Sequence, residues 1–179
     1  MAEDPGTQRD SGFPPIARTD ARCLVLGSMP SRQSLAQQQY YAHPRNAFWP
    51  VMEAMLGFEA NAPYARRADA VQAAGIALWD VIATCRRPGS LDADIDETTM
   101  EVNDFATFFR RHSAIEAVFF NGQKARQVFQ KHALPALPLG RELFMTALPS
   151  TSPAHASLDR AAKLRAWRAA LRPYLEIRP

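Results

Sequence analysis

The sequence predicts an α/β protein whose parallel sheet carries helices on both faces. Short apolar segments alternate along the chain with longer segments whose apolar residues recur at helical spacing, and this alternation is typical of parallel sheets. Glycine, or a cluster of Gly, Ser and Pro, follows several of the apolar segments, as a turn out of a buried strand requires. A length of 179 residues and a hydrophobic content of 47% suit one domain with a sizeable core.

Strands are predicted where an apolar run is too short and too apolar for an amphipathic helix. Segment 22–26 is such a run, and segments 117–121 and 142–148 resemble it. Segment 76–82 is equally short and apolar, and its pattern leaves strand and helix open.

Helices are predicted where apolar residues recur with the helical period. Gly57 and Gly75 mark the ends of two of them, and Ser157 is the expected N-cap of the last, which is strongly basic. Segment 27–45 is predicted to be mostly loop with one helical turn, and segment 86–97 is predicted to be loop. The helices are expected at 46–56, 64–74, 102–112, 123–132 and 157–173.

Residues 1–18 are predicted to form a flexible tail, because they combine acidic residues, Gly, Ser and Pro. Segment 13–16 is the part of this tail expected to pack on the body. Residues 19–179 then form a single domain. We find no signal peptide and no apolar run of membrane-spanning length, so we expect a cytoplasmic protein.

The composition argues against several kinds of site. A formal net charge of +3 permits a nucleic-acid partner without arguing for one. Cys23 and Cys85 lack Cys-x-x-Cys spacing, which argues against a zinc site or a disulfide scaffold. One group of acidic residues lacks the Gly and the terminal Glu of an EF-hand loop, so we expect a solvated acidic loop and no metal. The group is Asp80, Asp92, Asp94, Asp96 and Glu97.

The functional site is expected where the carboxyl ends of the parallel strands meet. The loops that leave these ends are 27–45, 121–123 and 149–155, and we expect them to converge. The turn Gly27-Ser-Met-Pro-Ser31 lacks both the dinucleotide fingerprint and the Walker A lysine. It offers backbone amides and hydroxyls to a phosphate or a base edge, or it is an ordinary turn.

Two further segments carry side chains with alternative interpretations. Asn46 is either the N-cap of its helix or an amide that orients a water, and His43 and Arg45 either contact phosphate or are solvated. The loop Pro149-Ser-Thr-Ser-Pro-Ala-His155 either grips a phosphodiester through hydroxyls and amides or is a turn into the last helix.

The motifs resemble those of a known family. The turn Gly27-Ser-Met-Pro-Ser31, the run Gln39-Tyr-Tyr-Ala-His-Pro-Arg-Asn-Ala-Phe-Trp49 and the segment Leu148-Pro-Ser-Thr-Ser-Pro153 resemble the hypoxanthine-DNA glycosylase group of the uracil-DNA glycosylase superfamily. The resemblance implies a three-layer sandwich with a central four-stranded parallel sheet between helices. It also implies hydrolysis of the N-glycosidic bond of a deaminated base in DNA, with no metal and no cofactor.

The resemblance assigns catalytic and base-binding roles. Asn46 stands where the group has the residue that positions the attacking water. The Ser28 side chain cannot act as a base, but the amides of its turn can stabilise charge on the departing base, and His155 is expected near the reacting centre. Phe48 is expected to stack on the extruded base and Asn121 to read its edge. His155 also stands where an apolar wedge is expected.

The other expected site residues contact the base or the DNA backbone. Those of the base pocket are Gly27, Met29, Pro30, Ser31 and His43. Those of the DNA backbone are Arg45, Lys124, Ser150, Thr151 and Ser152. We expect the protein to act on DNA as a monomer, associated with the nucleoid and away from any membrane.

The expected activity is that of a monofunctional glycosylase in base excision repair. No lysine lies in the candidate pocket loops to form a Schiff base, so the products are a free base and an abasic site. The sequence leaves hypoxanthine, uracil and xanthine open as substrates. The alternatives are a nucleic-acid or nucleotide-binding protein of the same fold that has lost turnover, and a small serine hydrolase that uses Ser150 or Ser152 with His155.

Overall fold

The centre of the protein is a four-stranded sheet with the order β3-β2-β6-β7, in which every pair is parallel. The computed structural model describes residues 9–59, 61–138 and 140–176. The strands are β1 (Arg9–Ser11), β2 (Cys23–Gly27), β3 (Ile76–Asp80), β4 (Ile82–Arg86), β5 (Asp96–Val102), β6 (Ala117–Asn121) and β7 (Phe144–Leu148). The helices are α1 (Arg32–Gln37), α2 (Phe48–Leu56), α3 (Tyr64–Ala73), α4 (Phe105–Arg111), α5 (Gln123–Val128) and α6 (Arg160–Leu171).

Each face of the central sheet has its own apolar core, because successive side chains of a strand point to opposite faces. Leu24 and Leu26 of β2 lie in the core that α4 and α5 cover. Cys23 and Val25 lie in the core that α2, α3 and α6 cover. The sheet therefore lies between two helical layers, which confirms the three-layer α/β sandwich.

Segment 76–82, which the sequence leaves open between strand and helix, is a strand that ends at Asp80. It pairs in register with β2, so that Gly27 is the partner of Asp80. Gly57 and Gly75 have positive φ and end their helices as predicted.

A second, antiparallel sheet of β1, β4 and β5 was not predicted. β5 is Asp-Glu-Thr-Thr-Met-Glu-Val, a mostly polar segment in which Met100 and Val102 pack on the core, and its pattern did not indicate a strand. The loop predicted at 86–97 is shorter, since β4 ends at Arg86 and β5 begins at Asp96. The helix predicted from residue 102 begins only at Phe105, and Asp104 Oδ1 caps it by accepting from Thr107 N at 3.0 Å.

Residues 9–18 belong to the folded body, which corrects the prediction of a flexible tail over 1–18; residues 1–8 lie outside the described part. Asp10 is buried in β1, where it pairs with the buried guanidinium of Arg87 at 3.1 Å. The chain then follows β3, since Trp79 Nε1 donates to Phe13 O at 3.0 Å and Ile16 forms a bridge with Leu78. A buried charge and its partner fix this segment more firmly than its polar composition suggests.

The two helices at the end of the chain also differ from prediction. After α5 the chain continues as a π-helical turn (Phe129–Ala133) and a 3₁₀ turn (Leu134–Ala136). Asp159, not Ser157, is the N-cap of α6, because its Oδ1 accepts from Ala162 N at 2.7 Å. Among the described residues, no helix has both the length and the apolar character needed to cross a membrane.

Candidate active site

A cleft of about 700 Å³ opens at the carboxyl edge of the central sheet. The loops that follow β2, β6 and β7 all line it, which confirms their predicted convergence. The turn Asp92–Asp94, which precedes β5, completes one side. The predicted site residues that line the cleft are Gly27, Ser28, Met29, Pro30, Ser31, Asn46, Asn121, Lys124, Ser150, Thr151, Ser152 and His155.

The turn after β2 is fixed from below by backbone hydrogen bonds. Val81 N donates to Gly27 O at 2.9 Å and Ile82 N donates to Ser28 O at 3.0 Å. The Ser28 hydroxyl donates to Asp92 Oδ1 at 2.5 Å, and the Ser31 hydroxyl accepts from Ser34 N and caps α1. The turn therefore faces the cleft with both hydroxyls already engaged.

Asn46 lies just before the N-terminus of α2 and lines the cleft. Its Oδ1 accepts from Phe48 N at 2.9 Å and its backbone N donates to His43 O at 2.8 Å. These bonds fix the amide plane and leave one lone pair of Oδ1 and the Nδ2 hydrogens without a hydrogen-bond partner among the described residues. The N-cap of α2 is Ala47, which corrects the alternative that Asn46 is the cap. The Asn46 side chain precedes the helix and keeps the groups needed to orient a water.

Phe48 does not face the cleft, which corrects its predicted role as the base-stacking residue. Its side chain is 0% exposed and packs against Trp49 and Trp167. The ring of Tyr41 lies on it with centroids 4.0 Å apart and planes inclined by 26°, and Tyr41 lines the cleft. Phe48 stands at helical spacing with Val51 and Met52, which are also buried, so its burial follows from the face of α2 that meets the sheet.

Tyr41 is therefore an aromatic residue of the site that the sequence analysis missed. It has a φ of 55°, the left-handed region that side chains other than glycine seldom adopt. Its hydroxyl is buried and has no hydrogen-bond partner in the described part of the chain. Burial and the charge of Asp80 raise its pKa, while the Asn121 amide opposes the shift, so the hydroxyl stays protonated.

His43 and Arg45 lie outside the main cleft, which corrects the predicted base-pocket role of His43. His43 Nδ1 accepts from Arg45 N at 3.1 Å, a local bond that turns the ring toward a smaller pocket beside Trp49 and Arg67. Arg45 is exposed. Its predicted contact with the DNA backbone remains a prediction.

Two hydrogen bonds join the end of β6 to the loop after β7. Asn121 Nδ2 donates to Thr151 Oγ1 at 2.8 Å and Thr151 N donates to Asn121 Oδ1 at 2.9 Å. Thr151 O also accepts from Ala47 N at 2.9 Å. Thr151 is buried, so its side chain positions the loop and cannot contact the DNA backbone as predicted. Asn121 keeps one N–H and one lone pair for a ligand.

The rest of that loop turns outward. Ser152 N donates to Ser150 Oγ and Ala154 N donates to Ser152 Oγ, both at 3.2 Å. His155 is exposed on the rim, and its Nε2 lies 3.1 Å from Ser157 Oγ. His155 N donates to Ser152 O at 3.0 Å, but within the described residues neither the Ser150 nor the Ser152 hydroxyl makes a hydrogen bond to the His155 ring. The geometry therefore gives the serine hydrolase no support.

Asp80 is the second residue that the sequence analysis missed, because it was grouped with solvated acidic residues. It ends β3 at the floor of the cleft and is 3% exposed. Burial raises the pKa of its carboxyl to about 7; the charge of Asp92 adds to this shift and that of Arg87 opposes it. The sequence signal was its position at the end of an apolar strand. In the described ranges, no group of three or more His, Cys, Asp or Glu side chains could hold a metal ion.

Lys124, in the first turn of α5, lines the cleft, and its ammonium is 2.5 Å from Glu97 Oε1 of β5. The same carboxylate lies 3.5 Å from Lys131 Nζ. Both contacts lower the pKa of Glu97. Two leucines, Leu91 and Leu158, are exposed where they line the cleft.

Comparison with known proteins agrees with this geometry. The chain is 33% identical over 118 residues to a protein named hypoxanthine DNA glycosylase from Methanosarcina barkeri. The matched segment covers 65% of this chain and 73% of that protein. A protein of the same name from Methanosarcina acetivorans is 34% identical over 115 residues, 64% of this chain and 72% of that protein. A candidate uracil DNA glycosylase of Methanosarcina acetivorans, solved by NMR in solution, superposes with a TM-score of 0.72 at 28% identity. That match covers 90% of this chain and 98% of the other.

The family model of the Uracil DNA glycosylase superfamily matches residues 14–176, which include all the strands that line the cleft. The chain therefore belongs to the uracil DNA glycosylase superfamily and is a DNA glycosylase, a hydrolase that acts on N-glycosyl bonds of DNA.

Proposed function

We propose that the protein releases hypoxanthine from DNA by hydrolysis and leaves an abasic site. The observation that carries this proposal is the grouping of Tyr41, Asn46 and Asn121 around one cleft of about 700 Å³. A cleft of this size accommodates an extruded nucleoside. The name of the two Methanosarcina relatives supports hypoxanthine as the base.

The base must leave the duplex to reach the floor of this cleft. Extrusion costs a few kcal/mol, and a deaminated base costs less because it pairs poorly. Tyr41 offers a stacking surface that Phe48 supports from behind. The free N–H and lone pair of Asn121 can bind the edge of the base. The backbone N–H groups of the turn at Gly27 can stabilise negative charge that develops on the base by donating hydrogen bonds to it.

Asn46 positions the attacking water in this proposal. The glycosidic bond breaks with oxocarbenium character, so the water needs placement more than deprotonation. An amide held by Phe48 N supplies a fixed acceptor for one water hydrogen. The acceptor does not titrate, so it is available at any pH at which the protein folds.

The rim suits the DNA strands on both sides of the extruded base. Ser150, Ser152 and Lys124 are proposed to contact phosphates. Leu91 and Leu158 are exposed apolar side chains at the opening, and either can fill the space that the base vacates. His155 shares the rim but is polar and exposed.

The proposed reaction has no covalent enzyme intermediate. A lyase would need a neutral lysine beside the sugar to form a Schiff base. Lys124, the lysine that lines the described cleft, is held as an ion pair by Glu97. The enzyme then releases the base without cutting the strand, and we propose that it acts as a monomer.

The test uses matched duplexes that contain hypoxanthine, uracil or xanthine at one position. Wild-type protein is expected to produce alkali-labile sites with hypoxanthine, and Asn46→Ala is expected to lower the rate by about 100-fold or more because water placement is lost. Wild-type protein that binds these duplexes without releasing any base would instead identify a binding protein of the same fold. Full activity of Asn46→Ala would remove the role assigned to Asn46.

A further inference from the structure

The carboxyl group of Asp80 is buried at the floor of the cleft without a hydrogen-bond partner. It is 3% exposed, its Oδ2 is fully enclosed, and neither oxygen accepts or donates a hydrogen bond within the described residues. An unpaired carboxyl group in such a place costs stability. Its orientation toward the space that a ligand fills therefore indicates a functional role.

The position of this carboxyl group is tightly fixed. Asn103 Nδ2 donates to Asp80 O at 2.8 Å, and Val81 N donates to Gly27 O at 2.9 Å. A Cβ atom added to Gly27 would lie 2.3 Å from Asp80 Oδ1 and 3.3 Å from Tyr41 Oη. The glycine therefore makes room for the carboxyl group, which lies beside the hydroxyl of the stacking tyrosine.

The charged groups around Asp80 come from several elements. Asp92, from the turn before β5, disfavours the carboxylate, and Arg87, the residue after β4, favours it. Arg87 is itself committed, because it binds Asp10 at 3.1 Å and its Nη2 donates to Pro30 O at 2.6 Å. Its charge is thus only partly available to Asp80.

Two tyrosines also face Asp80 from the loop before α2. Burial raises the pKa of Tyr40 and of Tyr41, and the charge of Asp80 adds to both shifts. Both hydroxyls are therefore neutral, and no described group provides a full countercharge. With a pKa of about 7, a substantial fraction of Asp80 is a neutral acid at neutral pH. A stacked base would exclude water and raise that fraction further.

We propose that Asp80 is the general acid that protonates the departing purine. The inference rests on the proposed function, since it names a second catalytic group for the same cleft. The O–H bond of Asp80 breaks as an N–H bond forms at the purine N7. The electron pair of the C1′–N9 bond moves to the base, which leaves as neutral hypoxanthine.

The step needs no further reagent. The water that attacks C1′ loses a proton to solvent, and a solvent proton restores Asp80 to its acid form. General acids of this kind contribute about 10²–10⁴-fold to a rate, and they act best when their pKa lies near the working pH. The acid assists a purine, which has a basic ring nitrogen away from the glycosidic bond, more than it assists uracil.

The experiment measures single-turnover release of hypoxanthine from one duplex across about pH 5.5 to 9, the range around the Asp80 pKa. For wild-type protein, the rate is expected to be highest at low pH and to fall up to tenfold per unit above a midpoint at or above about 7. Asp80→Asn has the same shape and no transferable proton. It is expected to lower the low-pH rate by about 100-fold or more and to give a flat profile.

Two further measurements separate an acid from a structural residue. Binding of Asp80→Asn to an uncleavable duplex is expected to stay within about threefold of wild type, since the amide preserves the shape of the floor. Asp92→Asn, which keeps Asp80 and removes the charge that disfavours its carboxylate, is expected to move the midpoint to lower pH. The second variant tests the proposal even if Asp80→Asn folds poorly.

The outcomes distinguish the two proposals. Wild-type protein that releases no base from any duplex would contradict the proposed function itself. Release of hypoxanthine with the same rate and profile in Asp80→Asn, or an unchanged midpoint in Asp92→Asn, would overturn the role of Asp80 alone. A wild-type rate that rises with pH and is lost in Asp80→Asn would show a base in place of an acid.

Discussion

Tyr41 and Phe48 form a two-layer aromatic floor, in which the buried ring supports the ring that faces the cleft. The backbone of Tyr41 is in the left-handed region, so the chain adopts an unfavourable conformation to place this ring. Such strain is common where a side chain must be presented to a ligand. The stack makes the ring a rigid surface, which lowers the entropy lost when a base packs on it.

Replacing Tyr41 tests this surface. Tyr41→Ala is expected to lower kcat/KM for a hypoxanthine duplex by about 10- to 100-fold, because base–aromatic stacking contributes about 1–3 kcal/mol. Tyr41→Phe is the matched control and is expected to retain activity, since the hydroxyl has no described hydrogen-bond partner. Steady-state kinetics of the two variants measure the effect. Equal losses in both would assign the role to the hydroxyl.

Asp80 also makes a prediction about stability. Its folded-state pKa of about 7 lies above the unfolded value of about 3.9, so the stability that it contributes is fully present below about pH 4 and is lost as pH rises through about 7. Asp80→Asn removes this loss and is expected to be more stable than wild type at pH 8, by up to about 4 kcal/mol, and equal near pH 4. Urea unfolding at both pH values measures the difference. A difference that does not depend on pH would contradict it.

At this scale the role of Asn46 was predicted from the family resemblance. That of Asn121 was predicted from its position at the end of a strand, because the carboxyl edge of a parallel sheet is a reliable location for a site. The sequence did not predict Asp80, since composition alone does not distinguish a buried carboxyl group from a solvated one. The sequence also did not show that Tyr41, and not Phe48, faces the cleft. Neighbouring aromatic residues differ only in which of them the backbone turns toward the core.

Among the elements, the small antiparallel sheet has the greatest consequence for the site. β4 follows β3 almost directly, and the segment between β4 and β5 carries Leu91 and Asp92 to the cleft. The sequence could not indicate this sheet, because β5 is mostly polar, with Met100 and Val102 packed on the core near its end, and β1 has only three residues. The central strands were predictable, since both of their faces are buried and their apolar runs are continuous.

The ion pair that attaches β1 to this sheet is expected to be essential for stability. Asp10 and Arg87 have side chains that are 4% and 0% exposed, and removal of one buried partner typically costs about 3–5 kcal/mol. Asp10→Asn is therefore expected to lower the free energy of unfolding by about this amount. Glu101→Gln, which breaks an exposed pair with Arg9 on the same sheet, is expected to change it little. Urea unfolding of both variants is the measurement, and similar effects would contradict the prediction.

Over the whole molecule, the formal net charge is only +3, so attraction to DNA depends on where the charges lie. Positive charge at the rim of the cleft is partly neutralised, because Glu97 pairs with both Lys124 and Lys131. A protein that contacts few phosphates binds DNA with a shallow dependence on salt. Such weak general binding suits an enzyme that must leave undamaged DNA quickly.

The rim pair offers a test of this balance. Lys124→Ala is expected to weaken binding of all duplexes and to lower the slope of log affinity against log salt by about 1. Glu97→Gln is expected to strengthen binding, because it releases Lys124 from its partner. Titration of a labelled duplex at several salt concentrations measures both. Unchanged affinity and slope in Lys124→Ala would place the DNA elsewhere.

The attachment of β1 also matters for how the protein can be produced. The family match begins at residue 14, so a gene trimmed to the matched region would omit Asp10. Arg87 would then keep its carbonyl contact with Pro30 but lose its carboxylate, directly beneath the turn that lines the cleft. A purification tag should therefore precede residue 9, and a version that starts at residue 14 is a poor choice for crystallisation or assay.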